Sequence, residues 1–555
     1  MKFKILAVTV PALLSTWLAT PALALNGEPG IHDPSTIVEC DGKYYTWGTG
    51  GSALVSDDGG WTWHAGARVQ SGAAPDLIHI GDRYYMAYAS SAGGLGGGHA
   101  STIRVKWSKT LDPQSPDYNW QDDHVVAASD GIEDCDAIDP GFLLDPNTGK
   151  LWCSYGTYFG FIRIIELDPK TGHTMENAKP VNVAIDCEAT DPIYKDGWYY
   201  LLGTHGTCCD GANSTYNIRV GRSKNVTGPF IDNLGNDMIK GGGKLVGAAT
   251  GRYVGLGHFG RMVLGDDVEK FSCHYESDLD RGGSVLDIRP LLWKNGWPVA
   301  GDNFKPGTYQ IQSEGTGYGL ELAVDFVRMG GGRGGGFGGG GRGGAPGGGR
   351  GPQPGGAAGV PGGAIAPADA GGFGGAGAPG GPGAPGGRGA GGGFGGGGFG
   401  GGGRRGGGPI AAQTLAEVSA NWPAGNIGVR LGDYMNRPQQ RWTISAVTNT
   451  STVTNVGGYL GQPFFKITLD GTDRALAATA DAEVIAVPAF TDDPAQHPEQ
   501  LWQIDQCTDG TYRIMPKALP GSTERLVLSA VGYSTPSLTK FDSKGDKSRW
   551  NFLTP

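Results

Sequence analysis

The stretch HDPSTIVECDGKYYTWGTG, residues 32–50, decides the fold, because related stretches recur along the first half of the chain. It contains an Asp beside a Pro, a few apolar residues, a short polar turn and a run rich in Tyr, Trp and β-branched residues. Further copies start at residues 74, 138 and 190, and a weaker fifth copy starts at residue 257. Each copy has the pattern of two strands joined by a tight turn, which predicts a β-hairpin.

The spacing of the five copies leaves room for one four-stranded sheet each. Five such sheets arranged radially form a propeller, which protects strand edges and leaves an axial channel. We therefore expect the residues that start the repeats to converge on one end of that channel: Asp33, Asp76, Asp139, Asp191 and His258. The alternative is that an Asp beside a Pro only caps a turn. Several acids around one channel favour function, since repelling carboxylates cost stability.

The length of 555 residues predicts more than one domain, and a large share of the 103 glycines falls in a block at residues 330–408. Residues 1–24 combine Lys2 and Lys4 with an apolar run and a small-residue triplet, which predicts a signal peptide and a mature chain that starts near Leu25. The expected location is therefore secreted or periplasmic. The glycine-rich block is interpreted as a flexible, disordered insertion.

The net charge of −10 is not concentrated in a long acidic or basic run outside the glycine-rich block. This distribution favours a neutral substrate, and neither nucleic acid nor membrane is expected as a partner. The chain is expected to be a monomer. The adjacent Cys208 and Cys209 allow either a strained vicinal disulfide or two packed thiols.

Longer motifs go beyond the repeat. Four such motifs lie between the repeat copies or after the last of them: FIRIIELDPKTG at residues 161–172, CCDGANSTYNIRVGRSKNVTGPF at 208–230, GGGKL at 241–245 and LDIRPLLWKNGWPV at 286–299. With these motifs the region resembles glycoside hydrolase family 43, and within it the arabinan endo-1,5-α-L-arabinosidases. The resemblance implies a five-bladed β-propeller at residues 25–302.

The resemblance also implies three catalytic carboxyl groups. Asp33 of HDPS would be the general base, Asp139 of AIDP would orient the acid and tune its pKa, and Glu188 of CEATDP would be the general acid. Here Thr190 and Asp191 separate the Glu-Ala pair from Pro192, so Asp191 is the alternative acid. An inverting glycosidase needs one protonated and one ionised carboxyl group about 6.5–9.5 Å apart, with water between one of them and the sugar.

Further residues are expected around these acids. His258 corresponds to a histidine that lies near an axial cation, usually calcium, in similar enzymes; the alternative is a histidine that is only hydrogen-bonded. No organic cofactor is expected. Asp76 and three aromatic residues are candidates for substrate binding, and the aromatic residues have the alternative role of propeller core: Trp47, Tyr158 and Phe159.

The second half of the chain carries a different repeat. GTYQIQSEGTGYGLELA starts at Gly307, and three later segments end in Trp442, Trp502 and Trp550 as QRW, QLW and SRW. This pattern resembles a ricin-type β-trefoil, here at residues 303–555 and interrupted by the glycine-rich block. A sugar ligand is expected for this domain, with a purely structural trefoil as the alternative.

These observations predict an all-β, secreted glycoside hydrolase that acts on a polysaccharide. The leading hypothesis is inverting hydrolysis of α-L-arabinofuranosyl linkages, with internal 1,5 bonds of arabinan as the expected target. One alternative keeps the mechanism and changes the sugar to xylose, galactose or galactofuranose. The other is a non-catalytic carbohydrate-binding protein, which the presence of all three acids disfavours.

Overall fold

A computed structural model describes residues 25–90, 100–129, 135–251, 253–277, 282–324, 414–420, 422–447, 460–532 and 534–555. The predicted signal peptide at residues 1–24 and the predicted insertion at 330–408 lie outside the described residues, so both stay predictions. Among the described residues, none of the helices is long and apolar enough to cross a membrane.

Five separate sheets make up the first region. Their strands, sheet by sheet, are β1 (Asn26–Gly27), β2 (Val38–Cys40), β3 (Lys43–Trp47), β4 (Ala53–Ser56) and β5 (Thr62–Ala65); β6 (Ala73–Ile80), β7 (Arg83–Ser90), β8 (Thr102–Ser108) and β9 (Gln121–Ala128); β10 (Gly141–Leu144), β11 (Leu151–Tyr155), β12 (Ile162–Leu167) and β13 (Val181–Ala184); β14 (Glu188–Lys195), β15 (Trp198–His205), β16 (Asn217–Ser223) and β17 (Lys244–Gly247); β18 (Tyr253–Gly265), β19 (Val268–Ser277), β20 (Gly283–Lys294) and β21 (Trp297–Ala300). The first strands of neighbouring sheets, β2, β6, β10, β14 and β18, contact one another in the series β2–β6–β10–β14–β18. The predicted all-β class and five-bladed propeller are confirmed.

The tight turns explain why these segments form hairpins. Asp41-Gly42 joins β2 to β3, Asp196-Gly197 joins β14 to β15, and Asn295-Gly296 joins β20 to β21. Both residues of each pair have positive φ, between 49° and 79°. A two-residue loop with two positive φ angles matches the twist of paired strands, and Asp-Gly and Asn-Gly adopt it at low cost.

The start of the described chain contacts the last blade, which closes the propeller. The Ile31 N–H donates to Ser284 O at 3.0 Å, and the Leu286 N–H donates to Pro29 O at 2.9 Å. Ile31 itself is buried among Leu286 and Ile288 of blade five. The closure places His32 and Asp33 directly beside β19 and β20.

The described residues of the second region form twelve strands and one short α-helix. They are β22 (Gly307–Ser313), β23 (Gly319–Leu322), α1 (Leu415–Ser419), β24 (Ile427–Gly432), β25 (Trp442–Val447), β26 (Phe464–Leu469), β27 (Arg474–Ala478), β28 (Val484–Pro488), β29 (Trp502–Gln506), β30 (Tyr512–Pro516), β31 (Val527–Val531), β32 (Thr535–Thr539) and β33 (Trp550–Leu553). Six of them pair in a closed ring, in the order β22, β25, β26, β29, β30, β33 and back to β22. The other six strands form three antiparallel pairs outside the ring, β23–β24, β27–β28 and β31–β32.

Three buried tryptophans repeat the same contact within this second region. The indole N–H of Trp442 donates to Leu320 O at 2.8 Å, that of Trp502 to Leu476 O at 2.9 Å, and that of Trp550 to Leu528 O at 2.8 Å. All six residues belong to one hydrophobic core. The three copies read from the sequence therefore occupy equivalent positions around this core.

The propeller and the second region share a buried ion pair. Lys270 Nζ of β19 lies 3.0 Å from Asp505 Oδ1 of β29, and both side chains are fully buried. Arg513 of β30 contacts the other Asp505 oxygen at 2.8 Å. A buried charge is tolerated only when it is paired with an opposite charge, so each region supplies the counter-charge for a buried residue of the other.

Candidate active site

One residue within or shortly before the innermost strand of every blade has a left-handed backbone. These residues are Asp33, Ala74, Asp139, Ala189 and His258, with φ between 46° and 61°. Such a conformation is uncommon for residues other than Gly, Asn and Asp, so its repetition marks one equivalent position in all five blades. The equivalent position thus carries two aspartates, two alanines and one histidine. We call these five residues the axial ring.

This equivalence corrects the repeat register expected from the sequence. Asp76 and Asp191 lie two residues after the axial-ring positions Ala74 and Ala189 of their blades. The Asp-Pro dipeptides of blades one and three place the Asp on the ring, whereas in blades two and four the ring residue is an alanine. Asp76 and Asp191 therefore belong to a deeper layer of the channel.

Asp33 sits in a set of polar contacts at the channel entrance, with a side chain that is 16% exposed. The Thr49 hydroxyl donates to Asp33 Oδ2 at 2.6 Å. Three imidazoles surround the same carboxylate: His258 Nδ1 at 3.4 Å, His32 Nε2 at 3.4 Å and His274 Nδ1 at 3.8 Å. Burial opposes ionisation of Asp33, but the hydrogen bond with His258 and the charge of that histidine hold the Asp33 pKa well below the usual range.

Glu188 begins β14, directly before the axial-ring residue Ala189. The Thr157 hydroxyl donates to Glu188 Oε2 at 2.9 Å. Burial raises the pKa of Glu188 to about 7, and the charge of Asp33 adds to the rise, while the Thr157 hydrogen bond and His258 lower it. A carboxyl group with this pKa can hold a proton at neutral pH and deliver it to a leaving group.

Asp139 is almost fully buried, and its Oδ2 accepts a hydrogen bond from the Ala189 N–H at 3.0 Å. Burial and the neighbouring Glu188 raise its pKa well above the usual range. The contact joins Asp139 of blade three to the backbone that carries Glu188. The Asp139 side chain thus contacts the residue that directly follows Glu188.

Two of the surrounding residues did not emerge from the sequence. His274 of β19 accepts a hydrogen bond from the Asp33 N–H through Nδ1 at 3.2 Å, and burial lowers its pKa to about 3, so the ring is neutral. Thr157 follows β11 and contacts Glu188. The only signal for either residue was its place inside a repeat copy, which many other residues share.

The four residues expected to bind substrate have different environments. Trp47 is 1% exposed and belongs to the propeller core, where its indole N–H faces Ala67 O at 3.3 Å, so it presents no surface to a sugar. Asp76 accepts from the Thr36 and Phe142 amides at 3.0 and 2.9 Å and thus joins blades one, two and three. The Tyr158 hydroxyl donates to Thr204 O at 2.8 Å. Phe159 is 40% exposed.

Asp191, the alternative acid, is buried in the layer below the axial ring. Burial and the charge of Asp76 raise its pKa well above the usual range, and contacts with Arg261 oppose the rise. Asp191 pairs in register with Leu202 within the blade-four hairpin. Asp191 lies two residues after Ala189, and the Thr157 hydroxyl contacts Glu188.

The expected calcium ion would lie beside His258, whose surroundings are buried and polar. His258 is buried, its N–H donates to Thr204 Oγ1 at 3.0 Å and its Nδ1 faces Asp33. Burial raises the pKa of the three nearby inner-strand carboxyls Asp76, Asp139 and Asp191, so a cation in the channel would offset the cost of their charges. Calcium prefers oxygen ligands, so these residues fit a cation whose shell is mostly water, with His258 beside it.

One carboxyl group with a raised pKa and one held ionised by hydrogen bonds and charges are the two groups that a glycoside hydrolase requires. A model of the glycosyl hydrolases family 43 matches residues 45–298, which include Asp139, Glu188 and His258. The extracellular exo-alpha-(1->5)-L-arabinofuranosidase of Cellvibrio japonicus is 31% identical over 321 residues, 52% of this chain and 90% of the relative. The chain belongs to glycosyl hydrolases family 43.

Two further relatives cover the same part of the chain. The extracellular endo-alpha-(1->5)-L-arabinanase of Bacillus subtilis is 29% identical over 313 residues, 52% of this chain and 91% of the relative. The arabinan endo-1,5-alpha-L-arabinosidase of Aspergillus aculeatus is 30% identical over 331 residues, 53% of this chain and 98% of the relative. The match in each case is to about half of this chain.

Proposed function

We propose that this protein hydrolyses α-1,5-linked L-arabinofuranosyl chains with inversion of configuration. Asp33 is the general base that activates water, Glu188 is the general acid that protonates the leaving oxygen, and Asp139 positions the Glu188 segment. The observation that carries the proposal is Glu188 itself, a carboxyl group that holds its proton to about pH 7 beside the axial ring. The names of the relatives, arabinanases and an arabinofuranosidase, support the choice of sugar.

The step requires opposite protonation states on two carboxyl groups. Asp33 accepts a hydrogen bond from the Thr49 hydroxyl and faces three imidazoles, contacts that keep it ionised, as the general base must be. Glu188, held by the Thr157 hydroxyl, gives its proton to the glycosidic oxygen as the bond breaks. Water attacks the anomeric carbon from the opposite side, so the configuration inverts in one displacement.

The stereochemistry of the first product tests this mechanism. Linear α-1,5-arabino-oligosaccharides digested by the full chain are followed by proton NMR before mutarotation. The β-anomer must appear first, and an initial α-anomer would rule the inverting mechanism out. Separation of early products by size on the same substrates distinguishes internal cleavage, which we propose, from release at chain ends.

The second region is proposed to be a β-trefoil that binds a sugar and holds the enzyme on its polysaccharide. The six-stranded ring and the three equivalent tryptophan contacts support the trefoil. Attachment of this kind raises the local concentration of substrate. Calorimetric titration of the Glu188→Gln chain with galactose, arabinose and arabinan tests the sugar, since this variant does not consume its ligand.

Three further expectations are part of the proposal. The protein is secreted or periplasmic, as the word extracellular in the names of two relatives supports, and it acts as a monomer. His258 would lie beside a bound calcium ion, whose positive charge would offset that of the neighbouring carboxyl groups. Loss of thermal stability on chelation, restored by Ca²⁺, is the expected result for the metal.

A further inference from the structure

Three soft-metal ligands meet at the rim of the candidate active site. One ligand atom each from His32, Cys208 and Cys209 lies within 4.8 Å of the other two. Cys209 Sγ is 3.7 Å from His32 Nε2, and Cys208 and Cys209 are reduced thiols. Two ligands of one tetrahedral zinc ion, at about 2.3 Å for sulfur and about 2.0–2.1 Å for nitrogen, lie roughly 3.5 Å apart. The observed separation is therefore close to that of a formed site.

The imidazole of His32 is oriented by a second contact. His32 Nδ1 lies 3.0 Å from Ser284 Oγ. With the proton on Nδ1 donated to this hydroxyl, the lone pair of Nε2 points to the thiols. Histidines that bind metals are held in the same way, by a hydrogen bond on the nitrogen that does not bind the ion.

The cysteine pair is also held in a defined conformation. Cys209 has a left-handed backbone with φ of 65°, and its N–H donates to Glu276 Oε1 at 2.7 Å. The other Glu276 oxygen accepts from the Ser214 hydroxyl at 2.6 Å, and Glu276 is completely buried. A strained conformation in a residue with a β-carbon persists only where its surroundings impose it. Here a buried carboxylate imposes it and presents the thiol of Cys209 to solvent and to His32.

We propose that His32, Cys208 and Cys209 bind a soft divalent cation such as Zn²⁺ or Cd²⁺, and that the bound ion inhibits hydrolysis. The inhibition rests on the proposed function, because the ion would lie beside the general base: His32 Nε2 is also 3.4 Å from Asp33 Oδ2. The carboxylate would become the fourth ligand or lose its position for activating water. Thiolate and imidazole ligands select Zn²⁺ and Cd²⁺ over Ca²⁺, so this site is distinct from the calcium proposed near His258.

The test is a titration of the full chain with Cd²⁺, with the protein kept reduced by a phosphine and free of chelator. Cadmium bound to thiolate has a charge-transfer absorption in the ultraviolet, which reports binding without any need for activity. We expect one Cd²⁺ per chain and loss of arabinan hydrolysis along the same titration. Cys208→Ser and Cys209→Ser should each lose the absorption. Addition of Cd²⁺ should leave the arabinan hydrolysis of each variant at the level measured without metal.

Two variants sharpen the result. Ser284→Ala should keep the absorption but weaken Cd²⁺ binding by about tenfold or more, as expected for loss of a contact that orients a ligand. Cys40→Ser, which removes a buried thiol that contacts the Thr110 hydroxyl at 3.4 Å, is the matched control and should bind Cd²⁺ like the unaltered chain. No absorption in the unaltered chain, or equal absorption in both active-site serine variants, would overturn the site. If Cd²⁺ produces the absorption but the chain does not hydrolyse arabinan before any metal is added, the result would support the metal site and refute the proposed function.

Discussion

The Thr157 hydroxyl donates a hydrogen bond of 2.9 Å to Glu188 Oε2, and this contact opposes the effect of burial on the Glu188 pKa. A hydrogen bond to the ionised form stabilises that form, so Thr157 lowers the pKa while burial and Asp33 raise it. The balance leaves Glu188 with a pKa of about 7. The pH dependence of hydrolysis therefore reports on these two residues.

The first prediction is that hydrolysis declines as the pH rises through about 7. The general acid is active only when protonated, so activity is retained below the Glu188 pKa and lost above it. Thr157→Val removes the hydrogen bond to the carboxylate, raises the pKa of Glu188 and moves the decline to higher pH. The measurement is kcat/KM on a soluble arabino-oligosaccharide across the pH range. Thr207→Val, at an exposed hydroxyl outside this contact, is the control, and a Thr157→Val profile that does not move would contradict the assignment of Glu188 as the acid.

The second prediction concerns the roles of the acids. Asp33→Asn and Glu188→Gln should each lower turnover by about 10²–10⁴-fold, the range for loss of a general base or acid. Asp191→Asn is the matched control and should cost far less, because burial keeps the Asp191 carboxyl group protonated and asparagine replaces it with a similar neutral group. Steady-state rates on arabinan compare the three. An inactive Asp191→Asn beside an active Glu188→Gln would assign the acid to Asp191 instead.

The sequence predicted the propeller because its signals are local. Asp-Gly and Asn-Gly pairs specify two-residue turns, and runs of aromatic and β-branched residues specify strands. The register of the axial ring is less local, since Ala74 and Ala189 take the left-handed position without any distinctive side chain. Asp76 and Asp191 were aligned with the ring because an Asp beside a Pro, in either order, is the more visible pattern.

Contacts between distant parts of the chain escaped the sequence altogether. His274 reaches the Asp33 amide across 241 residues, and no periodic pattern relates the two. Trp47 shows a second limit: an aromatic residue at the end of a blade strand fits either a core or a sugar-binding surface. Only the packing of Trp47 against Tyr45 and Trp120 shows that it belongs to the core.

The third prediction tests the tryptophan contacts of the second region. Trp502→Phe leaves the buried Leu476 carbonyl without its indole donor, which costs about 1–3 kcal/mol for the unsatisfied group alone. Trp422 packs against the same core, but its indole N–H has no hydrogen-bond partner among the described residues. Trp422→Phe is thus the matched control and should destabilise less. Urea unfolding followed by fluorescence compares the two, and equal losses would show that the Leu476 contact contributes little.

The last prediction concerns the buried ion pair between the propeller and the second region. Lys270→Met removes one partner of Asp505, and an unpaired buried charge typically costs about 3–5 kcal/mol. Arg513 still contacts Asp505, so we expect the lower end of that range. Because Lys270 and Asp505 lie on different regions, the variant should unfold at lower temperature, with the transition of the second region separating from that of the propeller in calorimetry.

The same pair predicts an acid limit to stability. Burial opposes ionisation of Asp505, but Lys270 and Arg513 lower its pKa to about 2. A depressed carboxyl pKa contributes stability that is present above the unfolded-state value of about 3.9 and is lost as the pH falls towards 2. The stability difference between the unaltered chain and Lys270→Met should therefore shrink across this interval. Lys305→Met, at a half-exposed lysine 4.0 Å from Asp302, is the control and should change stability by less than about 1 kcal/mol at any of these pH values. A Lys270→Met chain as stable as this control at neutral pH would show that the buried pair does not join the two regions energetically.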